Sequence, residues 1–301
     1  MNRFLFTLSM MCASLASAAP SDVIYGKDGW LFFVEDKHDT IGRDTVKDIV
    51  QAVKLVEKTG TKIIVLVAPE KSRIYADKLP RATELFSRRY SKFINQLQSS
   101  GVDAPDFATP LIKARKASPS VNLYHLQDTH WTPDGTLIIV DEIKKDILRR
   151  QIDLSDLPTV EYSRTSVQET NLGDLGIRAQ NPELKPAPYR KYVYELKVPA
   201  TDSLLDDTHK IGIALVGTSY SQSFTTLPEA LQASLHHEVI SVGIGGGGIW
   251  QPLSTYLNSD SYKLNPPKLL IWEFPGNHIW VDHLDGWFDK EIVPAVKRLK
   301  K

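Results

Sequence analysis

Lys62-Ile63-Ile64-Val65-Leu66-Val67-Ala68-Pro69-Glu70 is the stretch on which the fold turns. From Ile63 to Ala68 the run is unbroken by polar residues and rich in β-branched side chains. That pattern marks a strand covered on both faces in a parallel sheet, not one alternating between core and water. Pro69 ends the run, so Pro69-Glu70-Lys71 falls at a strand's carboxyl end, where open α/β sheets usually place their sites.

Working outward, similar apolar runs occur at 210–216, 238–242 and 268–274, with a short aromatic run at 30–34 after the turn residues 26–29. Between them lie helical periods. Residues 46–57 carry apolar side chains at 46, 49, 50, 53 and 56 and stop at Gly60; further helices are expected at 82–99, 109–116, 224–236, 249–257 and 287–299. A short strand is expected at 121–124, and Thr132-Pro133 reads as an N-cap with proline at the first position of a helix running to about 150. Buried strands alternating with amphipathic helices predict an α/β fold, a three-layer sandwich with a mostly parallel sheet.

Residues 151–207 break the pattern. Prolines at 158, 182, 186, 188 and 199 interrupt them, and only 192–198 alternates like a strand, so this segment reads as an irregular insertion or lid. The remaining organisation is one catalytic domain over 19–301, preceded by a secretory signal over 1–18: Arg3, then a mostly apolar run from Phe4 to Leu15, then Ala16-Ser17-Ala18. An uncleaved membrane anchor is the alternative, disfavoured because the run is shorter than the roughly 20 residues that span a bilayer. Cys12 lies inside that signal and is the only cysteine, so the exported chain would have neither disulfides nor thiolate chemistry, which suits a periplasmic enzyme.

Lys+Arg and Asp+Glu each total 36, so the charge balance gives no reason to expect nucleic acid as a partner. With 42% hydrophobic and 24% charged residues the chain is globular, not disordered.

Two segments carry candidate chemistry. Gln127-Asp128-Thr129-His130-Trp131 puts an aspartate and a histidine on a loop before a helix, and Gly217-Thr218-Ser219-Tyr220-Ser221 puts a serine directly after a buried strand. Together they supply a nucleophile, an imidazole base and a carboxylate to orient it. Each segment alone has plainer readings. Ser219 in a tight turn is more often a helix cap, Ser221 competes with it, and Asp128 could cap a helix or share a metal with His125 and His130. His278 and His283 are alternative bases or ligands at the same sheet edge. The glycine run 243–248 lacks a following lysine and is no P-loop. Trp131, Trp250, Trp272, Trp280 and Trp287 are expected to be mostly core, with one or two stacking on sugar rings.

Read together, Gly26-Lys-Asp-Gly-Trp-Leu-Phe, Ala68-Pro-Glu-Lys71 with Tyr75, Asp128-Thr-His130-Trp-Thr-Pro-Asp-Gly135, Gly173-Asp-Leu175, Val216-Gly-Thr-Ser219-Tyr-Ser and Ile271-Trp-Glu-Phe-Pro275 resemble, in order, the SGNH-hydrolase-like proteins of bacterial polysaccharide O-acetylation, of the alginate AlgJ and AlgX type. The resemblance implies Ser219 as nucleophile, His130 as base and Asp128 as its orienting acid. It implies acetyl transfer to an exopolysaccharide in the periplasm, an acetyl donor supplied by another protein or molecule in place of a bound cofactor, and a membrane-bound O-acyltransferase as possible partner; no metal is expected, since no third ligand stands at an obvious spacing from Asp128 and His130.

By the same analogy the oxyanion is held by amides at Ser219 and in the glycine run at Gly246 and Gly247. Gly217, Thr218, Tyr220, Trp131, Lys71, Asn277 and His278 complete the expected substrate or oxyanion set. The chain departs from the family where Gly276-Asn277-His278 replaces a frequent arginine, and its short extent past Leu299 makes the AlgJ-like architecture the nearer comparison. A carbohydrate acetylesterase using the same triad, or a non-catalytic polysaccharide-binding or assembly protein, are the other readings.

Overall fold

The computed structural model describes residues 22–34, 40–80, 86–197, 211–280 and 288–298. The expected signal with Cys12, residues 198–207 of the insertion, His283 and Trp287 lie outside the described residues.

The chain begins with a small antiparallel pair, β1 (Val23–Tyr25) and β2 (Leu31–Phe33), shorter than the run at 30–34 suggests. Then come α1 (Thr45–Glu57), β3 (Lys62–Ala68), the single turn α2 (Lys71–Ile74), α3 (Phe86–Ser99), α4 (Ala108–Ala117) and α5 (Pro133–Arg149). α5 starts as its sequence dictates: Thr132 Oγ1 accepts the Gly135 N–H at 3.2 Å and Pro133 occupies the first turn, where a missing N–H leaves nothing unpaired.

After α5 the structure corrects the sequence reading. Residues 151–197 hold two long strands, β4 (Glu161–Asn171) and β5 (Ala187–Lys197), paired antiparallel from Glu161↔Lys197 to Asn171↔Ala187, with α6 (Gly173–Arg178) between them. β4 escaped notice because both its faces are largely solvated, so its sequence has no apolar alternation to reveal it. The strand expected at 121–124 is absent; Tyr124 makes only an isolated bridge to Trp131.

The chain closes with β6 (Ile213–Gly217), α7 (Leu227–Leu235), β7 (Val239–Gly243), α8 (Gln251–Asn258), α9 (Asp260–Leu264), β8 (Leu269–Pro275) and α10 (Val293–Arg298). Residues 223–225, expected to open the helix at 224, form a separate 3-10 turn.

The main sheet is parallel, in the order β3-β8-β6-β7. Successive residues of a strand face opposite sides, so the unbroken burial of Ile63–Ala68 in β3 and of all of β6 and β8 means that both faces are covered. This is the three-layer α/β sandwich the sequence predicts. Parallel strands also deliver all their carboxyl ends to one edge. Pro69-Glu70, Ser219, the glycine run and Gly276-Asn277-His278 therefore gather there, although they come from four separate parts of the chain.

Candidate active site

Ser219 follows β6 on a 3-10 turn, Ser219–Ser221, whose N-cap Thr218 accepts the Tyr220 N–H. Its Oγ lies 2.7 Å from His130 Nε2, across 89 residues of sequence. His130 Nδ1 lies 2.6 Å from Asp128 Oδ1, and the same oxygen accepts the His130 backbone N–H at 2.9 Å. An ionised carboxylate only accepts, so Nδ1 carries the ring proton; Nε2 is then bare and faces the serine hydroxyl as its acceptor.

The other oxygen, Asp128 Oδ2, accepts from Asn171 Nδ2 at 3.2 Å and from the Asp174 N–H at 3.3 Å. Burial pushes the Asp128 carboxyl up, but the imidazole hydrogen bond and the charge of His130 outweigh it and hold the group below the usual carboxylate range. Asp174 moves the other way, raised by burial and by the charge of Asp128. Asp128, His130 and Asp174 also meet closely enough to bracket a cation. Their donors are already committed, however: both Asp174 oxygens accept from Thr129, its N–H and its hydroxyl, at 2.8 Å each. His125 does not join them. Burial depresses its pKa to about 4, and its ring packs edge-on against Tyr189.

The Asp128 loop has no sheet to hold it, and its rigidity comes from backbone carbonyls captured one after another. Gln127 O accepts the Gly176 N–H at 2.9 Å, Thr129 O accepts the Tyr220 hydroxyl at 2.7 Å, and His130 O accepts the His125 N–H at 3.1 Å. Lys71 Nζ donates to Leu31 O at 2.7 Å and to Leu126 O and Asp128 O at 2.9 Å each, while resting over the rings of Trp30 and Phe32. Trp30 stacks on Tyr75 at 3.9 Å, and Tyr75 Oη accepts the Leu123 N–H at 2.8 Å. The sequence segments around Trp30, Lys71, Tyr75 and Gly173 thus form the support of one loop.

A cleft of about 340 Å³ opens at the serine. Thr218, Tyr220, Gly246, Asn277 and His278 line it with Ser219 and His130. The Ser219 N–H has no acceptor among the described residues, so it is available to an oxyanion. A Cβ on Gly245 would lie 3.9 Å from the Ser219 Cβ, which sets the glycine run beside the nucleophile. The Asn277 Oδ1 is buried without a partner among the described residues, a polar group left for a ligand.

Four expected contacts are corrected. Lys71 is 3% exposed and spent on carbonyls, so it holds the loop and cannot reach substrate. Trp131 is fully buried against Tyr220, at 4.7 Å between ring centres, and offers no face to a sugar. The Gly247 N–H donates to Ile244 O at 3.0 Å and is not free for an oxyanion. Gly217 is a buried strand residue that supplies room, not contact. Trp250 and Trp272 are core, and Trp280 is half-buried. Ser221 Oγ is turned into the interior onto Glu273, which removes it as a rival nucleophile.

Three further residues belong to the site, none of them in the expected substrate or oxyanion set. Glu273 lies buried beneath the serine turn, where burial pushes its carboxyl up to about 7. Phe224, at the start of the helix expected over 224–236, is 51% exposed and sets its ring edge-on to His130 at 4.9 Å. Arg178 lines the cleft, paired with Asp22 at 2.6 Å and placed over the ring of Phe33. The apolar period reveals none of these, because the position of each depends on a neighbour distant in sequence.

Comparison with known proteins agrees with this architecture. The sequence model of the family described as "SGNH hydrolase-like domain, acetyltransferase AlgX" matches residues 23–276. A probable alginate O-acetylase AlgJ of Pseudomonas fluorescens is 30% identical over 290 residues, covering 92% of this chain and 73% of the relative. An AlgJ of Pseudomonas aeruginosa is 28% identical, covering 91% and 75%. Among solved structures, the O-acetyltransferase domain of Pseudomonas putida AlgJ superposes with a TM-score of 0.75 at 24% identity, covering 93% of this chain and 99% of that domain.

Proposed function

The chain belongs to the SGNH hydrolase-like family of the acetyltransferase AlgX and is an O-acetyltransferase, and from that premise we propose that it acetylates hydroxyls of an exported, alginate-like polysaccharide through a Ser219 acyl-enzyme. The observation that carries this reading is the chain of contacts from Asp128 through His130 to Ser219, 2.6 and 2.7 Å long.

In the first half-reaction Ser219 Oγ attacks the acetyl carbonyl carbon while His130 Nε2 takes the hydroxyl proton. The oxyanion is held by the Ser219 N–H and the backbone near Gly246. As the donor's leaving oxygen or sulfur departs, His130 returns the proton to it. In the second half-reaction a sugar hydroxyl gives its proton to His130 and attacks the acyl carbon, and Ser219 leaves with that proton. Asp128 holds the ring tautomer throughout and stabilises the imidazolium. Asn277 and His278, which line the cleft, are assigned to the acceptor sugar. We further propose that the chain works in the periplasm, exported by residues 1–18, and receives acetyl groups from a membrane-bound O-acyltransferase. No described helix is long and apolar enough to cross a membrane.

Two measurements test the reading. The purified chain releases nitrophenol from p-nitrophenyl acetate, and Ser219→Ala abolishes this. Given an acetyl donor and a mannuronate oligomer, it yields acetylated oligomer by mass spectrometry; free acetate alone points to an esterase. Unchanged ester turnover in Ser219→Ala would falsify the nucleophile assignment.

A further inference from the structure

Beneath the serine turn lies an ionisable group for which the acyl-enzyme cycle has no task. Glu273, the fifth residue of β8, is fully buried, and among the described residues no lysine or arginine pairs with it. A carboxylate so placed is destabilising unless its oxygens find donors. Among the described residues, every donor it finds comes from the turn that carries Ser219. The Thr218 N–H gives to Oε2 at 2.6 Å, Thr218 Oγ1 lies 3.1 and 3.0 Å from Oε1 and Oε2, and Ser221 Oγ donates to Oε2 at 2.9 Å. Thr218 Oγ1 in turn accepts the Tyr220 N–H, so the carboxylate reaches the residues on both sides of Ser219.

The arrangement has no slack. A Cβ on Gly217 would stand 2.3 Å from Glu273 Oε2 and 2.4 Å from Ser221 Oγ, so the β6 backbone is pressed directly onto the carboxylate. The donor set also selects an acceptor-only group. A backbone N–H and two hydroxyls all point at it, and a carboxamide in the same place would bring N–H groups among donors. A filler of similar volume would be easier to bury, so the position is explained by what the carboxylate holds.

We propose that Glu273 is a positioning residue for the nucleophile: acting through Thr218 and Ser221, it fixes the 3-10 turn so that Ser219 Oγ stays in line with His130 Nε2 while the Ser219 N–H remains free for the acyl oxyanion. This rests on the acyl-enzyme reading above. It also has a signature of its own. Burial brings the carboxyl to about 7, and His130 is the titratable group whose charge acts on it. When Glu273 takes up a proton, its O–H must donate to Thr218 or Ser221, and that hydroxyl must turn its own proton away. The clasp therefore loosens as the pH falls through neutrality.

The test compares Glu273→Gln, Glu273→Asp and the double variant Ser221→Ala/Thr218→Val with the parent chain. The readouts are kcat and KM for p-nitrophenyl acetate between pH 5 and 9 and the rate at which a sulfonyl fluoride labels Ser219. A folded Glu273→Gln should lose about 10²-fold in kcat, as expected for a displacement on the ångström scale. KM should stay within about twofold, sulfonylation should slow in parallel, and one ionisation near neutrality should vanish from the acid limb. Glu273→Asp should recover part of the rate.

If Glu273→Gln does not fold, the double variant, which leaves the carboxylate and its backbone donor in place, should still lose about tenfold in kcat at constant KM. Parent-like kcat, labelling and pH profile in whichever variant folds overturns the assignment. A parent chain inert to both ester and sulfonyl fluoride overturns the acyl-enzyme reading itself, a result distinct from the first.

Discussion

Gly173 and Asp128 touch so closely that a Cβ built on the glycine would lie 2.5 Å from the Cβ of the aspartate and 2.4 Å from the carbonyl oxygen of Gln127. Gly173 also has φ +70°, a conformation that side chains rarely adopt. The turn of the β4–β5 hairpin thus presses directly on the loop that carries the site, and it brings Asn171, at the end of β4, and Asp174 to Asp128 Oδ2.

From this contact, Gly173→Ala should displace the Asp128 loop. Strain from the positive φ together with the overlap should destabilise the fold by about 2–4 kcal/mol. Ester turnover per folded molecule should fall at least tenfold. Thermal unfolding and kcat measured on the same preparation check both, and a parent-like melting temperature would contradict the contact.

Asp128→Asn preserves shape but lets a carboxamide donate to Nδ1, which stabilises the wrong tautomer. By analogy with other triads the loss in kcat should be about 10³–10⁴-fold with little change in KM. Equal turnover in the two proteins would remove Asp128 from the mechanism.

Lys71→Met should leave the carbonyls of Leu31, Leu126 and Asp128 without their shared donor in a buried setting. Hydrogen bonds from a charged donor contribute about 1.5–3 kcal/mol each but are not additive, so a loss of about 3–4 kcal/mol is expected in denaturant titration. Lys71→Arg should not restore stability, since a planar fork does not satisfy three carbonyls gathered around one point.

Two carboxylates should leave opposite marks on stability against pH. Asp128 has a folded pKa held below its ordinary value of 3.8, so its contribution is present above that value and is lost as the pH falls through the depressed folded value. Glu273 has a folded pKa raised from 4.5 to about 7, so its contribution is full below 4.5 and fades as the pH rises through 7. The stability of Glu273→Gln relative to the parent should therefore improve between pH 5 and 8, and that of Asp128→Asn should improve only at strongly acid pH. Denaturant midpoints across this range check the signs.

Much of this was legible in the chain. The run 63–68 announced a strand covered on both faces, and the pattern at 132–133 announced the start of α5, because burial on two faces and helix capping are written in consecutive residues. β4 was not legible, since a hairpin strand solvated on both faces leaves no apolar rhythm. Phe224 was not legible as a site residue for a related reason: the helical period begins the helix at 224, while the exposure of this side chain depends on the separate turn at 223–225.

The sequence by itself determined the sheet and helices of the sandwich and the two segments from which the candidate site is drawn, because strand and helix periodicity is local chemistry. Tertiary structure alone decided that His130 and Ser219 lie 2.7 Å apart, that Lys71 holds carbonyls and does not meet substrate, and that Glu273 sits under the nucleophile. The physical reason is that β8, the last strand of the sheet in sequence, lies between β3 and β6. Which carboxyl ends then meet is set by strand order, and strand order is fixed only when the whole sheet has packed.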